Sequence, residues 1–523
     1  MMPRRIGLLA CVPMLTLSIA WSISAQDAAQ MQNGCSANPA ITSITSSPSW
    51  NGWGVDNANT RYQPAAAAQL SLDDVPRLKL KWSFGFPGAR AVSGQPAIVA
   101  GRVFVSSDNG YVYALDSATG CVYWSFRADA AVRSSVAIER PAEGRPYAVY
   151  FGDARANVYA VDAVNGTQVW KTRVEEHPSA RITGGVRFFE GRIYVPVASG
   201  EEGAGGNANY ECCTSRGSVV ALSAETGKQI WKTYSIPEEP MRTTKNATGT
   251  QLWGPSGAGV WNSPTIDPRR RALYVGTGNA YSAPAAATTD SIIAMDLDTG
   301  RILWSVQETE NDVWLSVCIN NPSANCGPDH DFGSPPMLRS LPNGNTLLVA
   351  GQKSGNVWAH DPDRKGAVVW RSPLVSNTTE FGGKLVWGGA ADEQNAYFGL
   401  GPGGIAGVRL SDGQRQWFTA LQPAAGAAPR PGQEGALTAM PGAVISGGWD
   451  GVVRILSSRD GRVIWEYNTV RDFPTVNGVA AKGGSMGAPG PVLAGGLLFV
   501  PSGYVGVRNG VPGNVLLVFG VER

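Results

Sequence analysis

Several things are missing from this chain of 523 residues, and each absence narrows what it can be. Charged residues make up only 16% of it and almost cancel, leaving a formal net charge of +2. So balanced a surface gives no electrostatic footprint for nucleic acid. Beyond the first 25 residues there is no run long and apolar enough to span a bilayer, so no transmembrane segment is expected in the mature chain. No Cys-x-x-Cys-His occurs, which excludes covalent haem of the c type. Cysteine is sparse at seven residues, and Cys11 lies in the leading segment. That segment, Met1 to about Ala25, has Arg4 and Arg5, an apolar run from Ile6 to Ala20, and small residues at Ser22, Ser24 and Ala25. It reads as a cleaved export signal to the periplasm or beyond. Leu8 to Cys11 loosely resembles a lipoprotein cleavage site, but too little apolar sequence precedes it. The mature chain keeps Cys35, Cys121, Cys212, Cys213, Cys318 and Cys326, an even set suited to an oxidising compartment.

What the chain has in abundance is glycine, tryptophan and a repeat that uses both. Ala294 to Trp304 reads Ala-Met-Asp-Leu-Asp-Thr-Gly-Arg-Ile-Leu-Trp, with close copies at Ala114 to Trp124, Ala160 to Trp170 and Ala221 to Trp231. Looser versions end at Trp370, Trp417 and Trp465. Apolar residues before the Asp form one strand, Asp-x-x-Thr-Gly a tight turn, and the apolar run into Trp the next strand. Hairpins at regular spacing, each preceded by another apolar strand pair, predict an all-β fold, an eight-bladed propeller of four-stranded antiparallel sheets. Seven repeats supply seven blades. Leu78 to Trp82 alternates strictly but has no hairpin partner before it, while strands at Val492 to Val500 and Val515 to Val521 lack a Trp strand after them. Pairing these two ends makes the eighth blade and closes the ring. Residues 26–49 are then a lead segment and 50–523 one propeller domain.

Successive tryptophans from Trp82 stand 42, 46, 61, 73, 66, 47 and 48 residues apart, so insertions gather between Trp170 and Trp370. Long loops on a rigid scaffold are where function sits. Within them the chain resembles the quinoprotein alcohol dehydrogenases, eight-bladed propellers holding pyrroloquinoline quinone and a metal ion in the central channel.

Thr183 to Glu201 is similar to the family segment that begins with a cofactor-contacting Thr and ends in a metal-binding Glu. Glu202 and Glu211 are alternative carboxylates in the same loop. Trp261 to Pro268 resembles the segment whose Trp forms a floor under the quinone. Tyr274 to Asn279, Tyr-Val-Gly-Thr-Gly-Asn, resembles the motif whose Asn gives an amide oxygen to the metal. Oxygen donors of this kind suit calcium.

The family reads Asp-x-Trp-Asp-x-Asp/Ala-Gly around its catalytic base, whereas Leu315 follows Asp312-Val-Trp314 here. Counting back from Pro335 and Pro336 puts Asp329-His330-Asp331 at the family's Asp-x-Asp, with Leu315 to Pro328 an insertion stapled by Cys318 and Cys326. The resemblance thus implies Asp329 as base and metal ligand, Asp331 as a further metal ligand of the kind associated with lanthanides, and Asp312 as the reserve base. Arg133 falls where the family has an Arg for a quinone carboxylate, Lys353 where it has a cation beside the reactive oxygens, and Trp387 beside the cofactor, with Val386 where an amide is common. Adjacent cysteines before the family's Arg are absent from Arg127 to Val132. Cys212 and Cys213 either pair with each other over the cofactor or bond elsewhere, for instance with Cys35 or Cys121.

Asn-Asp-x-Trp, a cysteine-bearing insertion and Asp-x-Asp-Phe-Gly most resemble the polyvinyl alcohol dehydrogenase branch, without a haem domain. That resemblance implies oxidation of secondary hydroxyls of a polymer or smaller alcohol to ketones or aldehydes, with calcium or a lanthanide, and an external acceptor such as a cytochrome c. Two alternatives stand beside it: a non-enzymatic scaffold or binding propeller like that of outer-membrane protein assembly, and a sugar or aldehyde dehydrogenase using the same cofactor.

Overall fold

A computed structural model describes residues 33–45, 47–319, 326–375, 384–423, 432–506 and 510–522. The expected signal, Met1 to about Ala25, lies outside them. Eight four-stranded antiparallel sheets form an eight-bladed propeller. Inner strands such as Arg102–Ser106, Ala148–Gly152 and Ala443–Gly447 are buried along their whole length, because a blade packs against a neighbour on each face. At the rim the pattern changes: Gln168–Arg173 buries only Trp170.

That tryptophan shows how the repeat builds the ring. In four of the seven hairpins an Asp carboxylate, that of Asp116, Asp162, Asp296 or Asp361, accepts bonds from the turn behind it, as Asp296 does from the backbone N–H of Thr299 at 2.8 Å and its hydroxyl at 2.7 Å. The turn then ends in a left-handed glycine, Gly300 (φ +74°), on which Trp231 of the preceding blade lies. A Cβ on Gly300 would come within 2.5 Å of that indole. Trp231 Nε1 donates to Leu297 O in the same turn at 3.2 Å, and Thr233 Oγ1 to Gly300 O at 2.8 Å. Trp170 with Ala224 and Trp417 with Ser458 repeat the indole bond. So the recurring Gly and Trp are the two halves of one contact between blades.

Ring closure follows the same rule. Lys79–Gly85 pairs antiparallel with Val515–Gly520, and its Trp82 donates to Ser117 O in the first blade at 3.2 Å. One expectation needs revision: Val492 to Val500 is not a single strand. The chain turns at Gly495 and Gly496, both at positive φ, to give Val492–Ala494 and Leu497–Ser502, which supplies the eighth blade's fourth strand. The lead segment is tied to the first blade by Cys35–Cys121 and by a bridge from Gly34 to Val122. Among the described residues, no helix is long and apolar enough to cross a membrane.

Gly300→Ala tests the blade contact, since the new methyl group meets both an unfavourable φ and the Trp231 ring. A loss of about 2–4 kcal/mol is expected, read as a lower urea midpoint than wild type. An unchanged midpoint would remove the assigned role of the Gly–Trp pair.

Candidate active site

Each blade begins with a short segment leading into its innermost strand, and these segments meet at one end of the ring. Arg133 precedes Ala137–Glu139, Thr183 to Gly185 precede Arg187–Phe189, Trp261 to Ser263 precede Thr265–Asp267, and Gly333 precedes Met337–Ser340. Together with Trp53, Ser93, Pro335, Trp387 and Ala488 they line one cavity. Of the seven residues the sequence assigns to the cofactor, Arg133, Thr183, Trp261 and Trp387 lie in this wall. Trp387 meets Trp261 edge-on at 5.1 Å, and Gly333 has no Cβ because the Trp261 ring lies there. Arg133 Nη2 donates to Tyr504 Oη at 3.3 Å.

A charged cluster borders the Trp261 floor. Lys353, in the turn after Thr346–Gly351, places Nζ 5.2 Å from the Trp261 ring centroid. It donates to Asp329 Oδ1 and to Asp331 Oδ2, each at 2.7 Å. Lys384, which the sequence reading missed, donates to the other oxygen of Asp329. Burial pushes the Asp329 carboxyl up, but the two ammonium groups outweigh it and hold it below the ordinary carboxylate range. Asp331 Oδ1 accepts from the backbone N–H of Asn279 at 2.7 Å. The Asn279 side-chain amide donates to Ala280 O at 2.6 Å and Trp314 O at 2.8 Å. Two acceptors for its nitrogen fix the amide's orientation, and among the described residues nothing donates to its oxygen.

Other assignments fall differently. The Glu201 side chain is fully buried, but its oxygens are already taken by Tyr210 Oη at 3.0 Å and by the backbone N–H groups of Thr214 (3.0 Å) and Ser215 (2.7 Å). These bonds tie its loop together. Its neighbour Glu202 is half-buried and faces the cluster. Burial raises its carboxyl to about 7, with Lys353 opposing and Asp331 and Asp329 adding to the rise. Glu211 is exposed and accepts from Trp253 Nε1 at 3.4 Å.

Asp312 is buried and accepts from the backbone N–H of His330 (2.7 Å) and of Asp329 (3.2 Å). Loss of water puts its carboxyl at about 6. It therefore braces the segment that carries Asp329. Behind it Asp290, fully buried, has neither carboxyl oxygen hydrogen-bonded, and burial, then Asp331 and Asp312, favour its neutral form. Cys212 is bonded to Cys213 across a cis peptide bond. The pair packs with Tyr281, Tyr210, Leu252 and Leu315, outside the wall of the Trp261 cavity. Cys318–Cys326 closes the insertion beside it, where a Cβ on Gly205 would meet both Cys212 and Leu315.

Among the described residues no three carboxylate, histidine or cysteine side chains gather into a metal site by themselves. Asp329, Asp331 and Glu201 all accept hydrogen bonds from protein groups on both carboxylate oxygens, whereas among the described residues nothing donates to the Asn279 amide oxygen or the Glu202 carboxylate; oxygen donors of these kinds are what calcium takes.

Residues 50–371 match the family described as PQQ: glucose/ethanol/alcohol dehydrogenase, beta-propeller domain. The chain is 41% identical to a polyvinylalcohol dehydrogenase of Pseudomonas sp, over 90% of this chain and 77% of that protein. It is 37% identical to the polyvinylalcohol dehydrogenase of Sphingopyxis sp. (strain 113P3), covering 93% and 79%. Among solved structures, the quinohemoprotein alcohol dehydrogenase from Comamonas testosteroni superposes with a TM-score of 0.67 at 20% identity, over 91% of this chain and 81% of that one.

Proposed function

The chain belongs to the PQQ glucose/ethanol/alcohol dehydrogenase β-propeller family, and from that premise we propose that it oxidises secondary hydroxyl groups, those of polyvinyl alcohol among them, to ketones. The observation that carries the reading is that Arg133, Thr183, Trp261 and Trp387 share one wall, with Lys353, Asp329 and Asp331 beside it. When bound, pyrroloquinoline quinone supplies an acceptor for the hydride leaving the alcohol carbon. The wall fits such a group in chemistry: Trp261 offers a flat apolar face, and Arg133 and Thr183 offer donors for carboxylates. Lys353 stands over the same ring, where it would meet the quinone's oxygens.

Asp329 is the base. Its two lysine partners keep the carboxylate ionised, so either oxygen is ready to take the hydroxyl proton. Asp312 positions it through the backbone N–H bonds described above. Asn279, Asp331 and Glu202 hold calcium or a lanthanide, which supplies Lewis acidity. Glu202 is preferred to Glu201 in this set because its carboxylate faces Asp331 with no protein donor among the described residues, whereas Glu201 already accepts from Tyr210, Thr214 and Ser215. Electrons leave for an external acceptor such as a cytochrome c, since the chain has no c-type haem motif of its own. Three disulfides, Cys35–Cys121, Cys212–Cys213 and Cys318–Cys326, support a location outside the cytoplasm.

The cluster of Lys353, Asp329, Lys384 and Asp331 beside the Trp261 cavity favours the enzyme reading over a scaffold propeller, since charged groups gathered at a cleft and perturbed by one another are a mark of functional sites. The direct test is reconstitution of the mature protein with pyrroloquinoline quinone and calcium or a lanthanide. Secondary alcohols and polyvinyl alcohol should then reduce a redox dye. Absence of turnover with every alcohol would overturn the proposal.

A further inference from the structure

Two residues before Thr183, which lines the cavity, stands a second guanidinium. Arg181 lies on the short strand Ala180–Arg181, paired with Ala198 and Ser199 of the third blade. Its guanidinium fills the space a side chain at Gly200 would take: a Cβ there would lie 1.7 Å from Arg181 Nη2. Gly200 is the residue from which the chain enters the one-turn helix Glu201–Ala204. Its lack of a side chain therefore makes the slot that holds Arg181.

Among the described residues, the Arg181 guanidinium donates no hydrogen bond, and its buried Nε has no acceptor. Arg133 is almost as bare: its Nε also lacks an acceptor, and it has one bond, to the Tyr504 hydroxyl. The two cations stand close enough to oppose each other. Burial, then Arg133, weakens the hold of Arg181 on its proton, with Tyr281 and Glu202 offsetting only part of this. On the other side, Arg133 draws down the Asp108 carboxyl that burial raises; Asp108 Oδ2 accepts from Ser93 at 2.9 Å and its Oδ1 has no partner among the described residues. Arg133 lines the cavity and Arg181 stands two residues from Thr183 in its wall, so two half-satisfied guanidinium groups lie at one end of the site, an arrangement that anionic ligand groups would complete.

We propose that Arg181 is a second anion-binding residue of this site, which with Arg133 grips the carboxylates of the quinone. The proposal rests on reading the site as a pyrroloquinoline quinone pocket. Pyrroloquinoline quinone carries three carboxylates, and a guanidinium fork pairs with a carboxylate through two parallel bonds.

The test measures binding, not turnover. Wild type, Arg181→Gln and Arg181→Lys are titrated at fixed calcium with pyrroloquinoline quinone and separately with its trimethyl ester, following tryptophan fluorescence, after circular dichroism has shown all three folded. Arg181→Gln should weaken the free acid about tenfold to a hundredfold, as expected for loss of charge-assisted bonds, and leave the ester unchanged. Arg181→Lys should recover part of the loss, since it keeps the charge without the fork. Equal affinity of Arg181→Gln and wild type for the acid overturns the assignment. So does an equal loss for acid and ester, which marks a structural role. A wild type that takes up neither compound overturns both this assignment and the quinone reading.

Discussion

Asp329→Asn is expected to lower kcat about a thousandfold while the protein still takes up its quinone. The amide keeps the shape of the side chain but cannot accept the hydroxyl proton, and positioned general bases contribute roughly 10²- to 10⁴-fold. A second effect comes from the lysines. Lys353 and Lys384 both bond to this carboxylate, so the substitution leaves two buried ammonium groups with Asp331 as their remaining acid in the cluster. Breaking a buried ion pair by removing one partner costs about 3–5 kcal/mol, so the variant should also melt earlier. Single-turnover kinetics on quinone-loaded protein, well below its melting temperature, separates the two losses. An unchanged rate would shift the base to Asp312. Asp312→Asn itself is expected to cost only about tenfold, because it removes one of two acceptors that orient the Asp329 backbone, and misplacement is cheaper than loss of the base.

The two adjacent glutamates give the second large effect, as a contrast. Glu202→Gln should raise the calcium needed for half-maximal activity about a hundredfold or more with little change in stability. Here a charged oxygen donor is replaced by a neutral one in a small ligand set. Glu201→Gln should do the reverse. It weakens the carboxylate bonds from Thr214, Ser215 and Tyr210 and costs about 2–4 kcal/mol in folding, with calcium dependence close to wild type. If Glu201→Gln alone moves the calcium requirement, the assignment to Glu202 fails.

This pair also marks where the sequence stops being readable. The fold was legible because its main contact is local and repeated: a left-handed glycine in one turn receives the tryptophan of the preceding blade, so both partners recur in the chain at a regular interval. Even the closing strand declared itself, as a Trp strand without a hairpin. Arg133, Thr183, Trp261 and Trp387 are placed by the resemblance to the quinoprotein family, and each stands just before an innermost strand. Glu201 and Glu202 could not be told apart that way. On a helix of one turn, neighbouring residues point about 100° apart, and no periodic pattern sets the phase. Lys384 and Arg181 are harder still, because nothing in the repeat marks either position. The six cysteines gave an even number, but pairing depends on distances between Cα atoms, 5.1 Å for Cys35–Cys121, that a list of positions does not contain.

The eighth blade is stitched from both termini, and that imposes an order of events. Lys79–Gly85 is made long before Val515–Gly520, the strand it must lie beside. Until then the growing polypeptide is an open arc with an unpaired margin at each end, the condition in which sheets invite association with other molecules. The central pocket draws its walls from segments between Trp53 and Ala488, so it too is unfinished until the arc shuts. Loading of a ligand is therefore a late event, and shortening the chain by its last strand should leave a product that clumps rather than binds.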